Sequence, residues 1–144
     1  MSMEIYVLSD KRLASIADWQ QALDAEGFGL QLSAERPFDA LRGHLPAQRG
    51  ENKEAGFECD HGDGGELIDD YGDIDFGHRW KHVLAFRWGA NFAACLSAYM
   101  AATAYAKATD GVVFDPQEGE VLTPPKALEV VRSLEKELPS IEQA

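Results

Sequence analysis

Residues 82–122 read HVLAFRWGANFAACLSAYMAATAYAKATDGVVFDPQEGEVL, a pattern typical of a strand, a long helix and two further strands. The run His82–Trp88 is apolar, β-branched and aromatic, which predicts a buried strand. A glycine turns the chain, and residues 90–109 follow helical spacing until an Asp-Gly pair ends the helix. The segments Val112–Asp115 and Glu120–Leu122 are predicted to be strands, because a Pro-Gln-Glu-Gly turn separates them.

The helix predicted over residues 90–109 has two kinds of apolar surface. Its larger side chains recur at helical spacing on one face: Phe92, Leu96, Tyr99, Met100 and Thr103. Alanines recur at every fourth residue from Ala90 to Ala106, and such a ridge allows close approach to a sheet or to another helix. The sequence therefore predicts a buried helix of a soluble domain. A homodimer formed through this helix is an alternative.

A second strand–helix–strand unit is predicted at the N-terminus. Residues 4–8 have strand character, Ser15 can cap a helix that Gly27 ends, and residues 28–32 alternate as a strand does. A last helix begins at Pro124. Two such units predict an α+β fold, namely a ferredoxin-like two-layer sandwich with a mostly antiparallel sheet and helices on one face. A small doubly wound sheet is the alternative.

The chain between the two units is strongly acidic. Residues 51–75 hold ten carboxylates against the single base Lys53, so they carry −9 of the net charge of −12. Several glycines in the same stretch loosen the backbone. We therefore expect an exposed acidic loop or hairpin, inserted at residues 51–80 of a single domain that spans residues 1–144.

The overall composition excludes several classes of partner. The chain has 144 residues, of which 13 are Lys or Arg and 25 are Asp or Glu. A chain this acidic lacks the basic surface that nucleic acids and anionic lipids require, so neither is expected as a partner. The first residues lack the basic start and apolar run of a secretion signal, and two cysteines make no disulfide framework. The cytoplasm is the expected location.

Metal and catalytic motifs are weak in this sequence. A calcium loop that begins at Asp73 would need glycine at its sixth position, which is His78. The group Cys59, His61 and His82 lacks the paired spacing of zinc ligands. No nucleotide-binding or nucleophile motif is present. We expect no catalytic residue, metal or cofactor. The alternative is a small enzyme or metal-binding protein that uses the Cys59/His61/carboxylate cluster.

Part of the sequence resembles a group of small bacterial proteins. The resemblance is carried by Phe-Arg-Trp-Gly at residues 86–89, the alanine-rich helix, and Thr-Asp-Gly-Val-Val-Phe-Asp-Pro-Gln-Glu-Gly at residues 109–119. It covers residues 82–135. Some of these proteins look like immunity proteins encoded beside secreted antibacterial toxins. The resemblance implies a non-enzymatic protein that binds a cognate toxin and blocks its active site.

The charge density indicates where such a partner would bind. A dense patch of carboxylates speeds encounter with a basic surface and favours it over others. A tryptophan flanked by basic residues can anchor an interface. The predicted contact residues are Asp60, Asp63, Glu66, Asp69, Asp70, Asp73, Asp75 and Trp80.

Overall fold

The computed structural model describes residues 3–35 and 37–143, with side chains described as far as residue 137. Its elements, in chain order, are β1 (Met3–Ser9), α1 (Ile16–Ala25), β2 (Leu30–Leu32), a 3₁₀ turn (Phe38–Ala40), β3 (His44–Leu45), β4 (Ala47–Arg49), β5 (Phe57–Asp63), α2 (Gly64–Asp70), β6 (His82–Trp88), α3 (Phe92–Thr109), β7 (Val112–Asp115), β8 (Glu120–Leu122) and α4 (Pro124–Gln143).

Six strands form one sheet in the order β3-β5-β6-β1-β7-β8, and every neighbouring pair is antiparallel. β1 lies inside the sheet, with Ile5 opposite Phe86 of β6 and Val7 opposite Val113 of β7. The predicted α+β class and the mostly antiparallel sheet are confirmed. β2 and β4 form a separate two-stranded sheet.

The predicted pairing of the first strand–helix–strand unit is wrong in one respect. We expected residues 28–32 to join the main sheet, but β2 lies outside it. In the main sheet, β6 lies between β1 and β5. The side chain of Gln20 explains the placement of β2. Its Nε2 donates to Leu30 O at 2.8 Å, and its Oε1 accepts from Leu32 N at 2.9 Å. These two bonds hold β2 beside α1.

The main core lies between one face of the sheet and the helices α1, α3 and α4. We call this the first face, and its inward side chains include Ile5, Val7, Phe57, Cys59, Leu84, Phe86 and Val113. Trp19 of α1 is fully buried there, in edge-on contact with Phe86 and Tyr105, and its Nε1 donates to Ala101 O at 2.9 Å. Ser15 caps α1 by accepting from Asp18 N, as predicted.

α3 is buried on nearly all sides, which confirms the predicted buried helix. Four of the five predicted face residues are buried, from Leu96 to Thr103, but so are Ala93, Ala101 and Ala104. Small side chains allow this because the helix packs against β1, α1 and α4 at once. The alanine ridge is therefore used inside the domain.

The end of α3 shows why the Asp-Gly pair stands there. Of the two residues, Asp110 takes the left-handed conformation that ends the helix, with φ of 55°. Aspartate is one of the few residues that tolerate this region. Gly111 serves close packing instead, since a Cβ there would lie 2.3 Å from Leu8 O.

The acidic stretch is not an exposed loop, and this expectation is corrected. β5 pairs with β6, which lies beyond the predicted insertion, and residues 64–70 between the two strands form α2. Phe57 and Cys59 point into the main core, and Leu67 packs on the opposite side of the sheet. Apolar residues at alternate positions among the acids thus decide the local structure.

α2 and the segment of residues 71–81 cover half of the other face of the sheet, which we call the second face. A smaller core forms there from Tyr6, Leu8, Val83, Ala85 and Phe114 of the sheet, with Leu67 and Phe76 above them. Helices therefore lie on both faces of the sheet. The other half of the second face has no covering element among the described residues.

Candidate docking surface

The uncovered half of the second face carries a row of polar and charged side chains across four strands. Cross-strand neighbours join His44 to Glu58, Glu58 to Arg87, and Arg87 to Glu4. Arg87 Nε donates to Glu4 Oε2 at 3.2 Å, and Arg87 Nη1 donates to Asp60 Oδ2 at 3.4 Å. Arg87 is thereby held over the sheet between two carboxylates.

A shallow cleft of about 250 Å³ lies between this row and α2. Its floor is apolar and aromatic, and most of its rim is acidic. The floor contains Tyr6, Leu67, Val83 and Ala85, and the rim contains Asp60, Asp63, Glu66, Asp70 and Arg87. Burial, followed by the nearby Glu4 carboxylate, raises the pKa of Tyr6, so its hydroxyl keeps its proton at neutral pH.

Two of the predicted contact residues are already paired within the protein. Asp69 accepts from both terminal nitrogens of Arg79, at 3.1 and 3.2 Å. These hydrogen bonds hold the pKa of Asp69 below its usual range. Asp60 is held by Arg87 and accepts from Gly43 N at 3.1 Å. Both carboxylates therefore help to fix the surface.

Two further predicted residues bond to the local backbone. Asp63 caps α2, since its Oδ2 accepts from Glu66 N at 3.2 Å. Asp75 Oδ1 accepts from Gly77 N at 2.8 Å, which shapes the turn before β6. These carboxylates keep lone pairs that face solvent, because both residues are exposed.

Three predicted residues are exposed carboxylates, and none of the described residues forms an ion pair or hydrogen bond with their side chains. They are Glu66, Asp70 and Asp73. Glu66 and Asp70 line the cleft, and Asp73 follows α2 along the chain. We call these three the free acids. Since none of the described residues neutralises them, these carboxylates can pair with a cation of a partner.

Trp80 is less exposed than the sequence indicated. It is half-buried against the smaller core, and its Nε1 donates to Phe76 O at 3.1 Å. Its ring meets the His78 imidazole edge-on, with centroids 4.8 Å apart. His78 in turn bonds Asp10 through Nε2 at 2.7 Å. Trp80 therefore helps to hold residues 71–81, which we call the covering segment, against the sheet.

The alternative Cys59/His61/carboxylate site does not have the properties of an activated nucleophile. Cys59 is fully buried in the main core, and burial raises the pKa of its thiol far above the ordinary value. A protonated thiol is a poor nucleophile and a poor metal ligand. His61 donates from Nε2 to Phe38 O at 2.8 Å. Among residues 3–35 and 37–137, no three His, Cys, Asp or Glu side chains lie close enough together to hold a metal ion.

The residues that carry the resemblance have structural roles near the end of β7. Tyr99 donates its hydroxyl proton to Asp115 Oδ2 at 2.6 Å. Asp115 Oδ1 accepts from the backbone nitrogens of Gln117 and Glu118, at 3.0 and 3.4 Å. The buried Asp115 thus builds the turn between β7 and β8. This explains the Asp-Pro-Gln-Glu-Gly sequence without assigning it a catalytic role.

Sequence reasoning missed the charged row because its members lie far apart in the chain. Glu4 and Arg87 are separated by 83 positions. One signal was present: in His82–Trp88, Val83, Ala85 and Arg87 occupy alternate positions and therefore share a face. That face becomes polar at its Arg87 end.

Comparison with family models, with curated proteins and with solved structures finds no match to this chain. Within the described part of the chain, every helix is too short or too polar to span a bilayer.

Proposed function

We propose that this chain is a non-enzymatic, acidic protein-binding domain, and that it acts as an immunity protein. In this proposal it binds the basic surface of a bacterial toxin in the cytoplasm and occludes the toxin's active site. The resemblance of residues 82–135 to immunity proteins supports the second half of the proposal. The observation that carries the first half is the set of free acids, of which Glu66 and Asp70 line the cleft beside the open half of the second face and Asp73 is exposed after α2.

The proposal includes a ferredoxin-like arrangement as its scaffold. The central strands lie in the order β5-β6-β1-β7, all antiparallel, and α3 connects β6 to β7. This is the order that two interlocked strand–helix–strand units produce. The scaffold supports binding because its first face is filled by helices, whereas half of the second face stays open to a partner.

Charge explains how the surface would select its partner. Exposed carboxylates without internal partners create a negative potential that attracts a basic cleft and accelerates encounter. Paired carboxylates such as Asp69 contribute less to this potential because Arg79 neutralises them locally. The free acids should therefore dominate both affinity and its dependence on salt.

The test uses co-expression with the product of the adjacent gene, and two variants with the same change in charge. The first variant combines Glu66→Gln, Asp70→Asn and Asp73→Asn. The matched control neutralises three exposed glutamates of α4, with the substitutions Glu129→Gln, Glu135→Gln and Glu137→Gln. We expect the wild type and the control to protect the cell.

The first variant should bind the neighbour's product about tenfold more weakly, because each lost surface contact contributes roughly 0.5 kcal/mol. A neighbour that is not toxic, or toxicity that persists beside the wild type, would contradict the immunity role. Equal losses of affinity in both variants would contradict the assignment of the surface. A stoichiometric divalent ion in the purified protein would favour the metal-binding alternative.

A further inference from the structure

We infer that the cleft beside α2 receives one lysine or arginine side chain from a basic partner, and that this contact is the centre of the docking surface. The inference rests on the proposed function and specifies where and how the partner is held. Its occupant is a basic protein segment that lies on the open half of the second face.

The two layers of the cleft match the two parts of a long cationic side chain. Lysine and arginine bury their aliphatic stems on apolar surface and keep their charged heads among polar groups. Val83, Ala85 and Leu67 provide an apolar floor for the stem. Glu66 and Asp70 stand at the rim, where a guanidinium or ammonium group can donate hydrogen bonds to their carboxylates.

The size of the cleft favours a single side chain over a small-molecule ligand. Its volume of about 250 Å³ lies below the roughly 300–1,000 Å³ of pockets that bind cofactors or metabolites. The cleft is also open, so it cannot enclose a free ligand on all sides. A single side chain, held in place by the rest of its own protein, fits these dimensions.

The charges around the cleft exclude the other kinds of side chain. Arg87 is the one arginine or lysine among the described residues that line it, and both Glu4 and Asp60 already neutralise its charge. An anionic side chain would meet uncompensated carboxylates. An apolar side chain would bury Glu66 and Asp70 without a counter-charge, which costs free energy. A cation satisfies both carboxylates.

The open half of the second face carries further negative charge outside the cleft, which also suits a basic partner. Glu58 lies on this face between His44 and Arg87, exposed and without an ion-pair partner among the described residues. Together with the rim it gives the whole surface a negative balance. A partner segment with one inserted cation and further basic residues around it would meet carboxylates along this surface.

The experiment uses a peptide of alternating glycine and arginine as a probe, at low ionic strength. The matched control peptide carries citrulline, which has a similar shape without the charge, in place of every arginine. We expect saturable shifts of the Val83 and Leu67 methyl resonances with the arginine peptide alone. The methyl resonances of Val113 and Val131, which are fully buried in the main core, serve as internal controls.

Two variants separate insertion into the cleft from general attraction. Ala85→Leu fills the floor and leaves every charge in place, and Glu66→Gln with Asp70→Asn removes rim charge and leaves the floor in place. We expect each to raise the dissociation constant of the arginine peptide about tenfold, the effect of losing one charge-assisted contact. Circular dichroism checks that each variant folds. If a variant does not fold, the methyl shifts of the wild-type protein still test the inference.

The outcomes distinguish this inference from the proposed function. Loss of affinity in the rim variant with an unchanged dissociation constant in Ala85→Leu would overturn insertion and leave the acidic docking surface standing. Unchanged affinity in both variants would remove this acidic surface from the function altogether. Absence of shifts at Val83 and Leu67, with binding detected elsewhere, would also overturn the inference.

Discussion

The two faces of the sheet differ in how they are closed. The first face is covered by three helices and filled by fully buried residues such as Trp19, Phe57 and Phe86. The second face is half closed by the seven-residue α2 and the segment that follows it, and half open under a row of charges. The difference predicts that the first face supplies most of the stability, and in the proposed function the open half of the second face is where the partner binds.

The strongest test of this division compares one tryptophan from each face. We expect Trp19→Ala to lower the free energy of unfolding by about 3–5 kcal/mol, since it removes a fully buried ring. Trp80→Ala removes a half-buried ring and should cost about 1–2 kcal/mol. Denaturant unfolding measures both values. Equal losses would mean that the second face contributes as much to stability as the first.

A second test concerns how α2 is attached. A Cβ at Gly64 would lie 2.3 Å from Trp80 O, so Gly64→Ala must displace α2 from the start of β6. We expect a loss of about 1–3 kcal/mol in unfolding free energy. Gly29→Ala is the matched control, because a Cβ there meets no atom within 4 Å. A larger loss in the control would argue against this packing.

A third test uses pH and concerns the carboxylates that fasten the covering segment. Hydrogen bonding by Arg79 lowers the pKa of Asp69, and bonds from His78 and Lys81 outweigh desolvation and lower the pKa of Asp10. Groups with a lowered folded pKa stabilise the fold above the unfolded pKa of about 4, and this contribution disappears as the pH falls through the folded value.

Asp69→Asn and Asp10→Asn should therefore lower the melting temperature at neutral pH and flatten its decline below about pH 4. Thermal melts followed by circular dichroism across this range measure the effect. Glu135→Gln on the exposed side of α4 serves as the control. A pH profile of either variant that runs parallel to the wild type would show that the carboxylate does not fasten the segment.

The smallest effect is expected from the free acids. Neutralising Glu66, Asp70 and Asp73 should change the unfolding free energy by no more than about 0.5 kcal/mol, because their side chains form no ion pair or hydrogen bond with the described residues. Any change should be stabilising, since mutual repulsion falls in a chain with a net charge of −12. Denaturant unfolding at low salt checks the sign. A loss above 1 kcal/mol would show that these residues support the fold.

Local patterns were sufficient to predict most elements of the first face. Strand alternation, the Ser15 cap and the long apolar helix all follow from near neighbours in the chain. α2 was missed because a helix of seven residues that begins with two glycines has little intrinsic stability. It forms because Leu67 packs on the sheet, a contact that the sequence does not reveal.

The candidate site shows the same limit. Charge density located the acidic segment, but it could not separate the free acids from Asp60 and Asp69. That separation depends on Arg87 and Arg79, which only the folded chain brings to these carboxylates. The pairing of Arg87 with Glu4 depends on the β1–β6 register, which local spacing does not specify.

The lengths of the outermost strands have a consequence for behaviour at high concentration. β3 and β8, which bound the six-stranded sheet, hold only two and three residues. Each margin therefore offers very few backbone donors and acceptors that a neighbouring molecule could use to add another strand. The protein should thus resist fibrillar self-association, and its sheet should remain finite even where many copies are crowded together.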